Sequence, residues 1–271
     1  MADQKILITG TAGSIGSLLR HSLAQPGRHL RLLDAAVQPA LQPRENAELI
    51  VASFLDRDAI EHACSDVSVV IHLGGLSTGG YSWDEYLEIN VNGTQCVLEA
   101  ARRAGVPRVI YASSHHAVGF QPTSTGVTIP DYLFPRPDSF YGVSKVASES
   151  LCSLYHDRHG LDVICLRIGS YRERPNDVRT LWNWLSPGDC TLLFQAAIST
   201  PNPGFRVVWG ISANTRAVVS LAEARSIGYV PLDDAEVYAD QVVASPESDD
   251  PHTRDLLGGP YTAAEFDAPS N

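Results

Sequence analysis

Residues 5–16, K-I-L-I-T-G-T-A-G-S-I-G, decide the fold. Residues 5–9, with Ile6, Leu7 and Ile8 in succession, have the pattern of a strand buried on both faces. Gly10, Thr11, Ala12, Gly13, Ser14, Ile15 and Gly16 follow directly, and behind them Leu18, Leu19, Leu23 and Ala24 recur at helical spacing. Strand, glycine-rich turn and helix, in that order, make a site for phosphate. Small residues let the backbone approach a pyrophosphate, and the helix N-terminus supplies free amides and a positive dipole end. The spacing is G-x-x-G-x-x-G, and glycines alone are equally explained by a tight turn. The second strand, 30–33, adds the deciding residue, because it ends in Asp34. A carboxylate there can bind both ribose hydroxyls of an adenosine and repels a 2′-phosphate, so NAD is expected over NADP. Alone, Asp34 would read as a solvated loop acid.

The pattern continues outward. Residues 35–47 read as a loop, 49–52 as a third strand, 57–64 as a short helix and 67–73 as a fourth strand ending in Leu73, Gly74, Gly75 and Ser77. Residues 81–104 read as a long helix closed by Gly105. Residues 108–112 form a fifth strand that ends in Ser113, Ser114, His115 and His116, and 117–138 is a Pro-bearing loop. A helix begins near Tyr141 behind Ser139 as N-cap, and 161–168 is a sixth strand ending at Ile168 and Ser170. Alternating strands and helices without a repeat predict a parallel, doubly wound α/β sheet, with ligands beyond the strand C-termini. Every polar cluster named so far falls at such an end. Beyond 170 the reading is a small appendage: a polar loop, helices over 178–185 and 189–199, a strand over 205–210, and short helices or turns over 221–227 and 235–243. The expected organisation is therefore a Rossmann-like NAD-binding domain over 1–170, a small substrate-binding region over 171–244, and a polar, acidic tail over 245–271.

Tyr141 and Lys145 stand four apart on one helix face. An ordinary phenol is a weak base near neutral pH, and a neighbouring cation favours phenolate. Such a tyrosine can take a proton from an alcohol. Taken alone, the pair is a weak signal, and an ordinary amphipathic helix with an incidental Tyr and Lys explains it better.

Composition removes other classes. Cys64, Cys96, Cys152, Cys165 and Cys190 are odd in number and show no C-x-x-C, which favours free thiols in a reducing cytoplasm over disulfides or zinc. No apolar run reaches the length of a membrane span, and the N-terminal residues lack the marks of a signal peptide. A net charge of −11 argues against nucleic-acid and anionic-membrane partners. His156 and His159 have no third metal ligand in view, so no metal is expected.

Together T-G-x-x-G-x-x-G at 9–16, Asp34, N-V-N-G-T at 90–94, Ser114 and Y-x-x-x-K resemble the extended short-chain dehydrogenases/reductases over about residues 4–244. Within them H-L-G-G-L-S at 72–77, A-S-S-H-H-A-V-G-F at 112–120, R-I-G-S at 167–170, Arg179 and V-V-W-G at 207–210 are most similar to the uronate dehydrogenase family. The resemblance implies NAD-dependent oxidation of glucuronate or galacturonate at C1 to the aldaric acid lactone, by a homo-oligomer. It implies Tyr141 as general base, Lys145 as its partner on the nicotinamide ribose, Ser114 as the hydroxyl that orients substrate, and Asn90 in a proton relay. Gly10, Ala12, Gly13, Ser14, Ile15, Gly16, Asp34, Ser53, Phe54, Leu73, Gly74, Tyr141, Lys145 and Ile168 are the cofactor contacts it implies. Ser77, Ser114, His115, His116, Tyr141, Ser170 and Arg179 are the substrate contacts. Two positions depart from the family pattern: His115 replaces a common asparagine, and Ser53 replaces an aspartate that reads adenine. A nucleotide-sugar epimerase or dehydratase is the competing enzyme, disfavoured by the short chain after 170 and by His115 after Ser114. A non-catalytic NAD sensor is the third reading, and it has no need of the Tyr, Lys and Ser set.

Overall fold

Ile6, Leu7 and Ile8 are all fully buried, which requires a strand covered on both faces. The computed structural model, which describes residues 4–77, 79–124, 126–242, 250 and 254–267, meets that requirement. Seven strands form one sheet: β1 (Gln4–Thr9), β2 (Arg28–Asp34), β3 (Ala47–Val51), β4 (Val69–His72), β5 (Arg108–Ser114), β6 (Asp162–Ile168) and β7 (Phe205–Gly210). Their order is β3-β2-β1-β4-β5-β6-β7, and every pairing is parallel. This is a Rossmann-like doubly wound sheet. The direction of winding reverses between β1 and β4, so the crevice of such a sheet opens there.

The two-residue period of the strands sorts the core. Ile6, Ile8, Leu30, Leu32, Ile71 and Ile164 face one side, against Leu19 of helix α1 (Ser14–Ser22) and Leu193 and Phe194 of a long C-terminal helix (Pro187–Ser199). Leu7, Leu33, Val70, Tyr111 and Cys165 face the other side. There they meet Ile60 of α2 (Arg57–Ala63), Val97 and Ala101 of α3 (Gly93–Arg103), and Cys152 of α4 (Phe140–His159). A fully buried Leu or Ile contributes roughly 1.5–3 kcal/mol over an exposed one, so the sheet is held by these two apolar layers.

Three elements differ from the pattern reading. The long helix over 81–104 begins as Trp83–Glu85, widens into a π-helix over Tyr86–Asn92 and continues as α3. The helix expected over 178–185 is one turn, Thr180–Asn183, after which Trp184–Leu185 pairs in parallel with Ser170–Tyr171. The segment expected as a polar tail is ordered where it is described. Leu257 is fully buried, its N–H donates to Gln121 O at 3.0 Å, and Gly258 N donates to Gly119 O at 2.8 Å. Apolar residues within a polar stretch find partners in the 117–138 loop. The remainder of the expected tail, 245–249, 251–253 and 268–271, lies outside the described residues. Among the described residues no helix is long and apolar enough to cross a membrane.

Candidate active site

A single cleft of about 700 Å³ runs along the C-terminal ends of β1, β2, β4, β5 and β6. Its glycine end is backbone. Gly10 has φ +78°, and a Cβ there would lie 2.6 Å from Gly74 N, so the strand ends can meet only without a side chain. A Cβ on Gly16 would lie 2.5 Å from Gly10 O, which fixes α1 tightly on the turn. Gly13 is the N-cap of α1 and offers no side chain to the first-turn amides, which leaves them available to an anion. Asp34 Oδ2 accepts from Ala12 N at 2.8 Å and Oδ1 from Ala36 N at 2.9 Å. The carboxylate is held at the cleft edge with acceptor capacity left over. The donor set fits a dinucleotide: a cradle that tolerates no Cβ, a bare helix N-terminus, and an acid at the end of β2.

The middle of the cleft holds the reactive set. Ser139 caps α4, its Oγ accepting from Gly142 N at 3.1 Å, and sets Tyr141 on the first turn. Tyr141, Lys145 and Ser114 all line the cleft. Lys145 Nζ donates to Ala112 O at 2.8 Å and lies 5.5 Å from the Tyr141 ring centroid. Burial lowers the Lys145 pKa to about 8. The phenol behaves differently from the sequence expectation. Burial, the largest effect, raises the Tyr141 pKa above its ordinary value, and the hydrogen bond with Ser114 only partly opposes it. Low dielectric penalises phenolate more than the neighbouring polar groups favour it.

The far end of the cleft is built from side chains. His115 Nδ1 meets Ile168 O at 3.1 Å. A carbonyl only accepts, so Nδ1 carries the proton and Nε2 is a lone pair. Arg179 Nη2 donates to that Nε2 at 2.6 Å and to Leu257 O at 2.9 Å. Arg179 Nη1 has no partner, and no carboxylate pairs with this guanidinium, among the described residues. Burial depresses the Arg179 pKa, as expected of a cation short of a counter-ion. His116 Nδ1 meets Asp138 Oδ2 at 2.6 Å, and Tyr261 stacks on the His116 ring at 4.0 Å.

Of the residues expected from sequence, Gly10, Gly13, Ser14, Ile15, Gly16, Asp34, Phe54, Leu73, Gly74, Ser77, Ser114, His115, His116, Tyr141, Lys145, Ile168, Ser170 and Arg179 line this one cleft. Ala12, Ser53 and Asn90 do not. Ala12 is turned to Asp34 through its amide. The Ser53 hydroxyl accepts from Leu55 N at 3.1 Å, and the nearby carboxylate of Asp56 caps α2. Asn90, buried in the π-helix, clamps Leu76 N and O with its amide and donates to Ser144 Oγ at 2.9 Å. Its carbonyl accepts from Thr94 and Ser148. Asn90 therefore braces the 74–77 loop against α4. Sequence reasoning missed Asp138 and Tyr261. The D-S pair ahead of α4 and an aromatic after Gly258-Gly259-Pro260 were their only signals.

Comparison with known proteins agrees with this geometry. Residues 6–172 match the NAD dependent epimerase/dehydratase family. The uronate dehydrogenase of Pseudomonas putida is 38% identical over 263 residues, 96% of each chain. A crystal structure of the glucuronic acid dehydrogenase of Chromohalobacter salexigens superposes with a TM-score of 0.90 at 33% identity, covering 97% of this chain and 98% of that one. A variant of the Agrobacterium tumefaciens uronate dehydrogenase complexed with NAD superposes with a TM-score of 0.89 at 31% identity, covering 96% and 97%. With a glycine cradle, an Asp34 edge and a Tyr-Lys-Ser centre on one doubly wound sheet, this chain belongs to the NAD-dependent epimerase/dehydratase family and, within it, to the uronate dehydrogenases.

Proposed function

We propose that the protein oxidises a hexuronic acid, glucuronate or galacturonate, at C1 to the aldaric acid lactone with NAD. The observation that carries the substrate class is Arg179. A mostly buried guanidinium with, among the described residues, no partner on Nη1 and no carboxylate ion-paired to it, only Asp177 and Asp138 acting at a distance, is costly unless a ligand brings the negative charge. A uronate carboxylate does so through charge-assisted hydrogen bonds.

In this reading the turn from Gly10 to Gly16 and Asp34 hold the dinucleotide, with Phe54, Leu73, Gly74 and Ile168 along its course. NAD supplies the hydride acceptor. Ser114 orients the C1 hydroxyl, and Tyr141 takes its proton as C1 loses its hydrogen with the bonding pair. C1=O forms while the ring oxygen stays bonded, so the product is a lactone. Lys145, still largely cationic below its pKa of about 8, together with the positive nicotinamide that bound NAD would bring, offsets the burial of Tyr141 and favours the phenolate it must be before it can take the proton. Ser77, His116 and Ser170 surround the sugar, and Arg179 takes its carboxylate. The protein works in the cytoplasm as a homo-oligomer.

The test is NADH absorbance with glucuronate, galacturonate, glucose and galactose. Turnover of the uronates alone is expected. Equal turnover of the neutral sugars removes the carboxylate clamp, and silence with all four, together with conversion of a nucleotide-sugar, replaces the reading with an epimerase or dehydratase.

A further inference from the structure

His116 lines the cleft, and its hydrogen-bonding direction is set by Asp138, a residue outside the cleft wall. Its ring is confined from several sides. The Tyr261 ring stacks at 4.0 Å, the His115 ring lies at 4.0 Å, and the Tyr141 ring stands edge-on at 5.7 Å. Those contacts fix the plane of the imidazole and leave open which nitrogen carries the proton. Asp138 removes that freedom. Its Oδ2 lies 2.6 Å from His116 Nδ1, and the Asp138 side chain is 0% exposed.

The carboxylate itself cannot turn away. Oδ1 accepts from Ser139 Oγ at 2.8 Å, and Ser139 is the N-cap of the helix that carries Tyr141. Gly119 and Gly258 press against the other oxygen: a Cβ on either would fall 1.8 or 2.0 Å from Oδ2. A loop and the C-terminal segment thus both lack side chains where this carboxylate sits. Burial raises the Asp138 pKa to about 6, which leaves it ionised at neutral pH, while burial and Arg179 keep His116 neutral. An ionised carboxylate only accepts, so the proton of a neutral His116 belongs on Nδ1.

We propose that Asp138 is a positioning residue that acts through His116: it holds Nδ1 protonated and so presents the Nε2 lone pair to the cleft as an acceptor for a sugar hydroxyl. A histidine with the opposite tautomer would be a donor at Nε2 and would meet a hydroxyl in a different orientation. The inference rests on the sugar dehydrogenase reading and adds the direction of one substrate hydrogen bond to it.

The first test needs no turnover. Histidine ¹⁵N spectra of the native chain should show a protonated Nδ1 and a bare Nε2 for His116, and Asp138→Asn should lose that preference. A protonated Nε2 in the native protein overturns the proposal. The second test is a double-mutant cycle read by NADH absorbance. Asp138→Asn should lower kcat/KM for glucuronate roughly 10- to 100-fold, mainly through KM, by analogy with the carboxylates that orient metal-bound histidines. NAD affinity, read by tryptophan fluorescence, should not change. In a His116→Gln background, which has no tautomer to set, the same substitution should change kcat/KM less than about twofold. An equal loss in both backgrounds would mean that Asp138 acts on the fold, and the proposal fails. A native enzyme that oxidises glucose rather than glucuronate overturns only the uronate reading; the same cycle on glucose still decides Asp138.

Discussion

The glycine end and the arginine end of the cleft are made in different ways. At the glycine end, Gly10, Asp34 and Gly74 sit at the ends of three neighbouring strands, and the contacts between them are backbone, or backbone to carboxylate. At the arginine end, the groups come from β5, the start of α4, the one-turn helix near 180 and the C-terminal segment, joined by side-chain hydrogen bonds. The first end follows from the sheet. The second exists only when four separated segments have closed on one another. The glycine end should therefore report on cofactor alone, the arginine end on substrate alone, and only the residues between them on chemistry.

The largest break in that division should come from the middle. Tyr141→Phe keeps the ring contacts with Tyr86 and His116 and removes the only proposed base. Turnover should fall by about 10³-fold or more, within the range for loss of a general base, with NAD affinity unchanged. Single-turnover NADH formation measures the first quantity and tryptophan quenching the second; a variant that retains turnover removes Tyr141 from the mechanism. Next in size is Arg179→Ala. It should lower kcat/KM for uronates roughly 10²-fold, the scale of a lost charge-assisted contact, while leaving NAD affinity alone. A rate on neutral sugars that falls equally would mean that Arg179 supports the fold of the site rather than the carboxylate.

This division also explains what could be read from the chain. Strand, turn and helix around Gly10 are contiguous, and the partner acid, Asp34, ends the next strand, so local pattern is enough. Tyr141 and Lys145 are legible for the same reason, being one helical turn apart. Asp138 and Tyr261 are not. Their value depends on His116, reached through tertiary contacts across 22 residues for Asp138 and across a far longer span for Tyr261. The tyrosine also shows the limit of a neighbour argument: the pairing with Lys145 is visible in sequence, whereas the burial that outweighs it is a property of the folded chain. His115 carries the same lesson, since both its ring nitrogens are engaged by the protein, with Ile168 and with Arg179.

A pair of single-methyl changes sharpens the comparison. Gly10 and Gly259 both have positive φ, +78° and +55°, and a Cβ on each would lie 2.6 Å from a neighbour. For Gly10 that neighbour is backbone, Gly74 N, which cannot yield without moving β4. For Gly259 it is Arg179 Nε, the end of a flexible side chain. Gly10→Ala should weaken NAD about 10-fold or more, with strain of roughly 1–3 kcal/mol to be absorbed. Gly259→Ala should leave NAD affinity unchanged and raise KM for the uronate about 5-fold by displacing the guanidinium. If Gly259→Ala instead weakened NAD, the two ends would be coupled through the C-terminal segment and the division would not hold.

The smallest effect concerns stability and lies at the junction of the two ends. Burial moves Lys145 from an ordinary 10.5 down to about 8. Between those values the unfolded chain binds more protons than the folded one, so stability from this group rises with pH across that window. Below about pH 8 both states are protonated and the penalty is fully present, roughly 3 kcal/mol at 1.36 kcal/mol per pKa unit. Lys145→Met keeps the length of the side chain and removes the charge, at the cost of about 1 kcal/mol for the hydrogen bond to Ala112 O. The variant should therefore melt a few degrees above the native protein at pH 7, by a net 1–2 kcal/mol in order of magnitude, while losing activity. At pH 10 most of the native penalty has gone and the variant should hold no advantage. Thermal melts of both proteins at the two pH values decide it. A difference that does not change with pH would mean that the buried ammonium carries no such cost, and that its charge is balanced inside the fold rather than held there for the phenolate of Tyr141.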